Sequence, residues 1–505
     1  MTTPLALSPN VTISKASGSS YFTLQKEGTI TQRPNGIPEQ PEPVSQQKKA
    51  VVIDPKFVNK YKHIFAIHAQ GRPSCLSHDA PKTPSFLGFR NLMILVLVVG
   101  NLRLIIENFL KYGVLIRVSS GYFRSQDLKM FLMLYALIPL QLLIAFVTEY
   151  FAAVQARRSY EEAKQSDGKK PPKLKAFWYI IGFIHGLNSF FYLAIANYVV
   201  YYKIHHPVIG TACEFHAIIV WLKHISYAFT NRDLRDAYLE DSPVPESYAS
   251  CPYPQNITFP NLWYFWWAPT LVYQPVYPRS GQFRPSFFFK RVAEVIVLSL
   301  AMWFLTMQYA VPILQNSVGA LNAFNLPIIL ERLMKLSTVS LVIWLSGFFA
   351  LFQSGLNALA ELIGFGDREF YTDWWNAGSV GTYWSSWNRP VYLFMRRHIY
   401  APLVGRGWSR QAAGFMVFLF SAILHEVAVG VPTHNIIGVA FLGMLFQVPL
   451  VSLTAPLEKM RGKGSILGNC IFWISFVLVG QPLGVLLYYF AWEAKYGTLA
   501  TNKGR

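Results

Sequence analysis

Nine stretches of mostly apolar residues, each roughly twenty long, follow one another between Phe89 and Trp492, and that is the length at which a helix crosses the hydrocarbon core of a bilayer. Hydrocarbon offers the backbone no hydrogen-bond partners, so each stretch must close its bonds internally as a helix. The expected spans are Phe89–Ile116, Phe131–Val154, Phe177–Tyr201, Val208–Phe229, Val292–Leu314, Leu336–Phe352, Ala412–Val431, Ile436–Leu453 and Ile466–Trp492. Over 505 residues the chain is 52% hydrophobic and only 14% charged. That balance excludes a string of ordinary soluble domains and leaves an all-α, polytopic membrane bundle of about nine transmembrane helices.

Residues 1–84 are rich in Ser, Thr, Pro, Gln and Lys. They carry too little apolar surface to offset the entropy of ordering, so a disordered cytosolic tail is expected ahead of a membrane domain over 85–505. No apolar leader is visible in the tail, and insertion is expected to begin with the first span. The net charge of +19 comes from Lys and Arg dispersed among the connections rather than gathered on one domain, which points to lipid headgroups and away from nucleic acid. The connections after the even-numbered spans are the more basic, with Arg157, Arg158, Lys169 and Lys170, then Lys290 and Arg291, then Arg396, Arg397, Arg406 and Arg410, then Lys459, Arg461 and Lys463. The positive-inside bias then puts the amino terminus in the cytosol and the carboxyl terminus across the membrane. On that orientation the sequon Asn256-Ile257-Thr258 faces the cytosol and is expected to stay unmodified. The cysteines Cys75, Cys213, Cys251 and Cys470 are scattered, without zinc or redox spacing, and read as free thiols.

Two connections on the basic side, about 230–291 and 353–411, are long and dense in Trp, Tyr, Phe and Pro, which predicts ordered structure at the mouth of the bundle. The second carries Phe370-Tyr371-Thr372-Asp373-Trp374-Trp375-Asn376, and beyond it His425-Glu426 stand inside the seventh span. An ionisable pair in hydrocarbon is costly unless it lines a cavity or works there. His425 lies about thirteen residues into its span, or roughly 20 Å deep at ~1.5 Å per residue. Gln447 in the eighth span and Gln481 in the ninth reach a similar depth, and Ser421 lies one turn before His425. The competing account of these groups is hydrogen bonding between packed helices.

Spacing narrows the chemistry. The fourth residue after His425 is Val429, so the His-Glu-x-x-His of a zinc protease is missing. No histidine is followed by Asp at the His-x-x-x-x-Asp offset, and neither a Gly-Lys-Ser/Thr phosphate loop nor a Gly-x-Ser-x-Gly elbow is present. A lone buried imidazole remains, and it suffices where the donor is already activated. An acyl thioester needs only that an acceptor hydroxyl lose its proton as it attacks, with amide donors nearby for the oxyanion. No metal and no cofactor is called for.

Phe370 to Asn376 matches the F-Y-x-D-W-W-N signature of the membrane-bound O-acyltransferase family, in the branch that holds sterol and type-one diacylglycerol O-acyltransferases, and Ser421 to Glu426 resembles that branch's active-site helix. Asn101 to Asn108 with Lys111-Tyr112-Gly113, and Asn261 to Phe265 leading to Ala268-Pro269-Thr270-Leu271, resemble the diacylglycerol enzymes. The resemblance implies an intramembrane reaction chamber, acyl-CoA as donor co-substrate, diacylglycerol as acceptor, triacylglycerol as product, an endoplasmic-reticulum membrane and a homo-oligomer, dimer or tetramer. It implies His425 as catalytic base and Asn376 as a second catalytic residue, with Glu426, Met444, Gln447, Gln481 and Trp375 around the substrates. Where relatives read Asn-x-Pro-Val-His, this chain has Asn388-Arg389-Pro390-Val391-Tyr392. That tells against a CoA contact at Tyr392 and leaves Arg396, Arg397 and His398 as cationic candidates for CoA phosphate, with anchoring to lipid headgroups as the equal alternative. A sterol or long-chain alcohol acceptor is the alternative within the same chemistry, and a lipid transporter or scaffold the alternative outside it.

Overall fold

The computed structural model describes residues 12–16, 19–23, 87–115, 124–165, 175–460 and 463–496. The chain divides into two units, Met1–Leu104 and Ile105–Arg505. In the first, the expected tail lies outside the described residues except for an antiparallel hairpin, Thr12–Ala16 against Ser19–Thr23. The first helix, Leu87–Tyr112, begins there, and its candidate span buries none of its apolar window.

Among the described residues nine helical runs are long and apolar enough to cross a membrane: Asn91–Tyr112, Ser125–Gln165, Lys175–Tyr202, Pro207–Leu239, Pro285–Asn322, Leu326–Ile363, Arg410–Gly430, Val439–Lys459 and Ser465–Tyr496. They match the expected spans one for one. Spans two, three and four pack on one another through Ala145, Ala152, Ala156, Ala196 and Ala217, all fully covered, because side chains this small let helix backbones come close. A buried charge cluster ties the same three helices. Glu149 of the second span meets His185 of the third at 2.9 Å and Arg235 of the fourth at 3.3 Å.

The ends of several spans depart from expectation. The sixth starts at Leu326 rather than Leu336 and runs on to Ile363. Its polar first turns looked like loop, yet Glu331 and Lys335 pair one turn apart on the helix surface, which helix geometry favours. Gly364 stops the helix in the left-handed region, φ 65°, as a residue without Cβ can. The fourth span likewise continues to Leu239, since Arg235 belongs to the buried cluster rather than to a loop. Four π-helical turns also interrupt the helical runs, at Thr306–Ala310, Phe349–Gly355, Arg396–Tyr400 and Ile474–Gly480. Such turns recur where a helix is bent to serve a site.

The two long connections are ordered, as their aromatic density predicted. The first contains the nine-residue helix Phe259–Trp267, and buried Lys223 of the fourth span donates to the carbonyls of Phe265 and Ala268 at 2.8 and 2.7 Å, a cation placed where a helix ends in unpaired acceptors. Asn261, from the stretch resembling diacylglycerol enzymes, accepts from the Tyr273 hydroxyl and donates to the Pro275 carbonyl, so its part here is to fold the loop. Asn256 is buried, its amide donating to Asn231 Oδ1 at 2.8 Å and the Tyr273 oxygen at 3.1 Å. Glu361 fastens the two connections together, receiving Arg284 and Arg368 at 2.7 Å each.

Candidate active site

The seventh span opens at Ser409, whose side chain accepts from the Ala412 N–H at 3.1 Å and so caps the helix. Sixteen residues past that cap, His425 is half-buried and keeps reachable surface. Its Nδ1 lies 2.7 Å from the Ser421 carbonyl oxygen. A carbonyl can only accept, so Nδ1 carries the proton and Nε2 presents a lone pair. Ser421 Oγ, at 3.4 Å, is a secondary contact.

Trp384, on the short helix Val380–Ser386, stands edge-on to the imidazole with ring centroids 6.4 Å apart and planes at 90°. Its Nε1 donates to Gln447 Oε1 at 3.4 Å, and Gln447 Nε2 donates to the Gly443 carbonyl at 3.1 Å. Gln447 of the eighth span is thereby brought to the His425 side through the Trp384 indole. Met444, one turn earlier, is buried. Gln481 begins the helix after the π turn Ile474–Gly480, and its Oε1 is buried without a hydrogen-bond partner.

Glu426 turns away from its neighbour. Its Oε1 accepts from the Gly438 N–H at 2.8 Å, and its Oε2 from the Phe441 N–H at 3.1 Å and the Tyr488 hydroxyl at 2.8 Å. One carboxylate therefore holds the seventh span, the start of the eighth and the ninth together, with charge-assisted bonds that are individually strong.

Asn376 ends the 3-10 turn Trp374–Asn376, and both it and Trp375 are exposed. No hydrogen bond joins Asn376 to His425. Its Nδ2 reaches Asp373 at 3.5 Å. What the signature segment chiefly builds is a core. Phe370 and Trp374 are each 2% exposed, and Trp374 sits among Trp344, Phe348, Tyr383 and Trp473 with centroids 5.0 to 5.9 Å away. Tyr371 bonds Gln353 in the π turn of the sixth span. From the ninth span, Asn469 Nδ2 donates to the carbonyls of Trp375 at 3.0 Å and Ala377 at 2.9 Å. Asn469 was not singled out from the sequence, because a neutral amide in an apolar run stands out less than an ionisable residue such as His425.

The three residues expected to meet phosphate lie on or beside the π turn Arg396–Tyr400, which packs on the seventh span. Arg396 is exposed, with no side-chain partner among the described residues, while Arg397 donates to the Tyr273 carbonyl at 3.2 Å. His398 differs from the cation expected. Ser226 Oγ accepts from the Tyr273 N–H and stands 2.7 Å from His398 Nε2. Burial, aided by the Arg397 charge, lowers the ring's pKa to about 4, so it is neutral at pH 7. Asn388 caps the helix Arg389–Met395 through Val391 N–H at 3.2 Å, which gives the divergent Asn-Arg-Pro-Val-Tyr stretch a role in folding.

A cavity of about 380 Å³ lies at the other end of the seventh span, lined by Asp127, His205, His206, His434, Trp492 and Tyr496 among others, and it holds none of the expected site residues.

With this geometry in view, residues 192–490 match the model of the membrane-bound O-acyltransferase family. The chain is 39% identical over 450 residues to diacylglycerol O-acyltransferase 1C of Glycine max, covering 88% of this chain and 82% of the relative. It is 39% identical to diacylglycerol O-acyltransferase 1 of Corylus americana, covering 85% and 76%, and 38% identical to that of Arabidopsis thaliana, covering 85% and 78%. A polytopic helical protein with these matches, and with an imidazole set into its seventh span, belongs to the membrane-bound O-acyltransferase family.

Proposed function

We propose that the protein transfers the acyl group of acyl-CoA to the free hydroxyl of diacylglycerol, releasing triacylglycerol and CoA. The observation that carries this reading is the imidazole whose Nδ1 is occupied by the Ser421 carbonyl, which leaves Nε2 as an acceptor for the proton of an alcohol. The names of the relatives supply the acceptor. In the step proposed, His425 Nε2 takes the hydroxyl proton as the oxygen attacks the thioester carbonyl carbon. The tetrahedral oxyanion collapses, the C–S bond breaks, and the departing CoA sulfur receives the proton back from the imidazolium. Asn376 and Gln481 are the amides that steady the oxyanion and the glycerol oxygens, with Gln447, Met444 and Trp375 along the substrate walls. Glu426 acts from behind, holding the helix that carries the base. Arg396 and Arg397 receive CoA phosphate as charges, and His398 contributes as a neutral donor. The setting is the endoplasmic-reticulum membrane, with the amino terminus cytosolic, the carboxyl terminus lumenal, and the chain assembled as a homo-oligomer.

The test is incorporation of labelled oleoyl-CoA into triacylglycerol by purified protein. His425→Ala should lower turnover by about 10²- to 10⁴-fold while the protein elutes as the parent does. Retained turnover in that variant ends the mechanism. An assay that offers diacylglycerol, sterol and long-chain alcohol together fixes the acceptor, and preferential sterol esterification would replace the reading with the alternative one.

A further inference from the structure

Asn376 lies in a loop, and a loop residue can act on a substrate only if something outside the loop fixes it. Its own side chain makes one long contact, 3.5 Å to Asp373. Its backbone is held much more closely. The two hydrogens of the Asn469 amide go to the Trp375 and Ala377 carbonyls, at 3.0 and 2.9 Å, one on each side of Asn376. The residue before Asn469 is glycine, and a Cβ there would fall 1.9 Å from the Gly378 carbonyl oxygen. Ser465, one turn earlier on the same helix, also closes on Gly378, its Oγ 2.5 Å from where a Cβ on Gly378 would stand. Ser465, Gly468 and Asn469 are spaced as neighbours on one helix face. That face is a platform against which residues 375–378 are pressed.

We infer that Asn469 is a positioning residue for Asn376, holding the peptide units on both sides of it so that its side-chain amide stays at a fixed place relative to the thioester. The inference rests on the reading of Asn376 given above. An amide is suited to the task because both of its hydrogens can be donated at once to two acceptors that, among the described residues, have no other side-chain donor. Positioning of this kind acts on the transition state more than on substrate affinity.

The experiment is a double-mutant cycle on full-length protein in detergent, reading kcat and the acyl-CoA KM separately. Asn469→Ala should lower kcat by about 10- to 100-fold, the scale of an ångström-sized misplacement, with KM changed by less than about threefold. In an Asn376→Ala background the same change should have almost no further effect, because the group it positions is gone. Two independent losses that multiply, or a rise in KM in place of a fall in kcat, overturn the inference while leaving Asn376 its role. If Asn376→Ala itself leaves kcat intact, the reading of Asn376 fails first and this inference with it. Asn469→Ser, which keeps one donor, covers the case in which the alanine variant does not fold, and it should fall between parent and alanine-like loss. Asn469→Ser with parental kcat also counts against the inference.

Discussion

His425 and Asn376 are held in opposite ways. The imidazole is oriented by a carbonyl four residues back on its own helix, so its tautomer and tilt follow from local helix geometry. Asn376 is placed by residues some ninety positions away, at Gly468 and Asn469, and by an aromatic core that draws on Trp344, Tyr383 and Trp473. A ring oriented by its own helix tolerates change around it. A polar residue in a loop inherits the sensitivity of every contact that fixes the loop.

Three substitutions test that contrast, in descending order of expected effect. Gly468→Ala pushes a methyl into the Gly378 carbonyl and should destabilise the protein by about 3 kcal/mol, as overpacking does, with turnover falling steeply. Thermal unfolding in detergent beside a triacylglycerol assay measures both, and a silent alanine there would break the contrast outright. Glu426→Gln removes the charge that binds two backbone N–H groups and the Tyr488 hydroxyl and should destabilise by about 1–3 kcal/mol. Because Glu426 supports the helix rather than the ring, the loss should appear in the unfolding midpoint more than in turnover per folded molecule. Ser421→Ala keeps the carbonyl and deletes only the 3.4 Å hydroxyl contact. It should leave turnover within about twofold of the parent, the range of a minor contact, and a larger fall would show that the hydroxyl helps orient the ring.

Much of this was legible in the sequence, and the physical reason is plain. A span declares itself by composition over some twenty residues, and His425 by being ionisable within one. Span ends were misread where polar residues stay helical, as at Glu331 and Lys335, or where charge is buried by a partner on another helix, as at Arg235. The Glu426 staple, the Asn469 clamp, the neutral state of His398 and the π turns all depend on which residues meet across long stretches of chain. Hydropathy carries none of that. Trp384 shows the limit well: in the sequence nothing separates it from the other tryptophans of its connection, and only packing sets it against His425 and Gln447.

The cluster around Trp374 brings one more property. Trp344, Trp374, Trp375, Trp387 and Trp473 form a cluster of indoles branched at Trp374, with neighbouring centroids 5.2 to 6.3 Å apart, close enough to exchange excitation energy. The loop that bears Asn376 is thus wired into a built-in optical reporter. Any displacement of it on acyl-CoA binding would alter the emission anisotropy of the protein's own tryptophans, with no label attached.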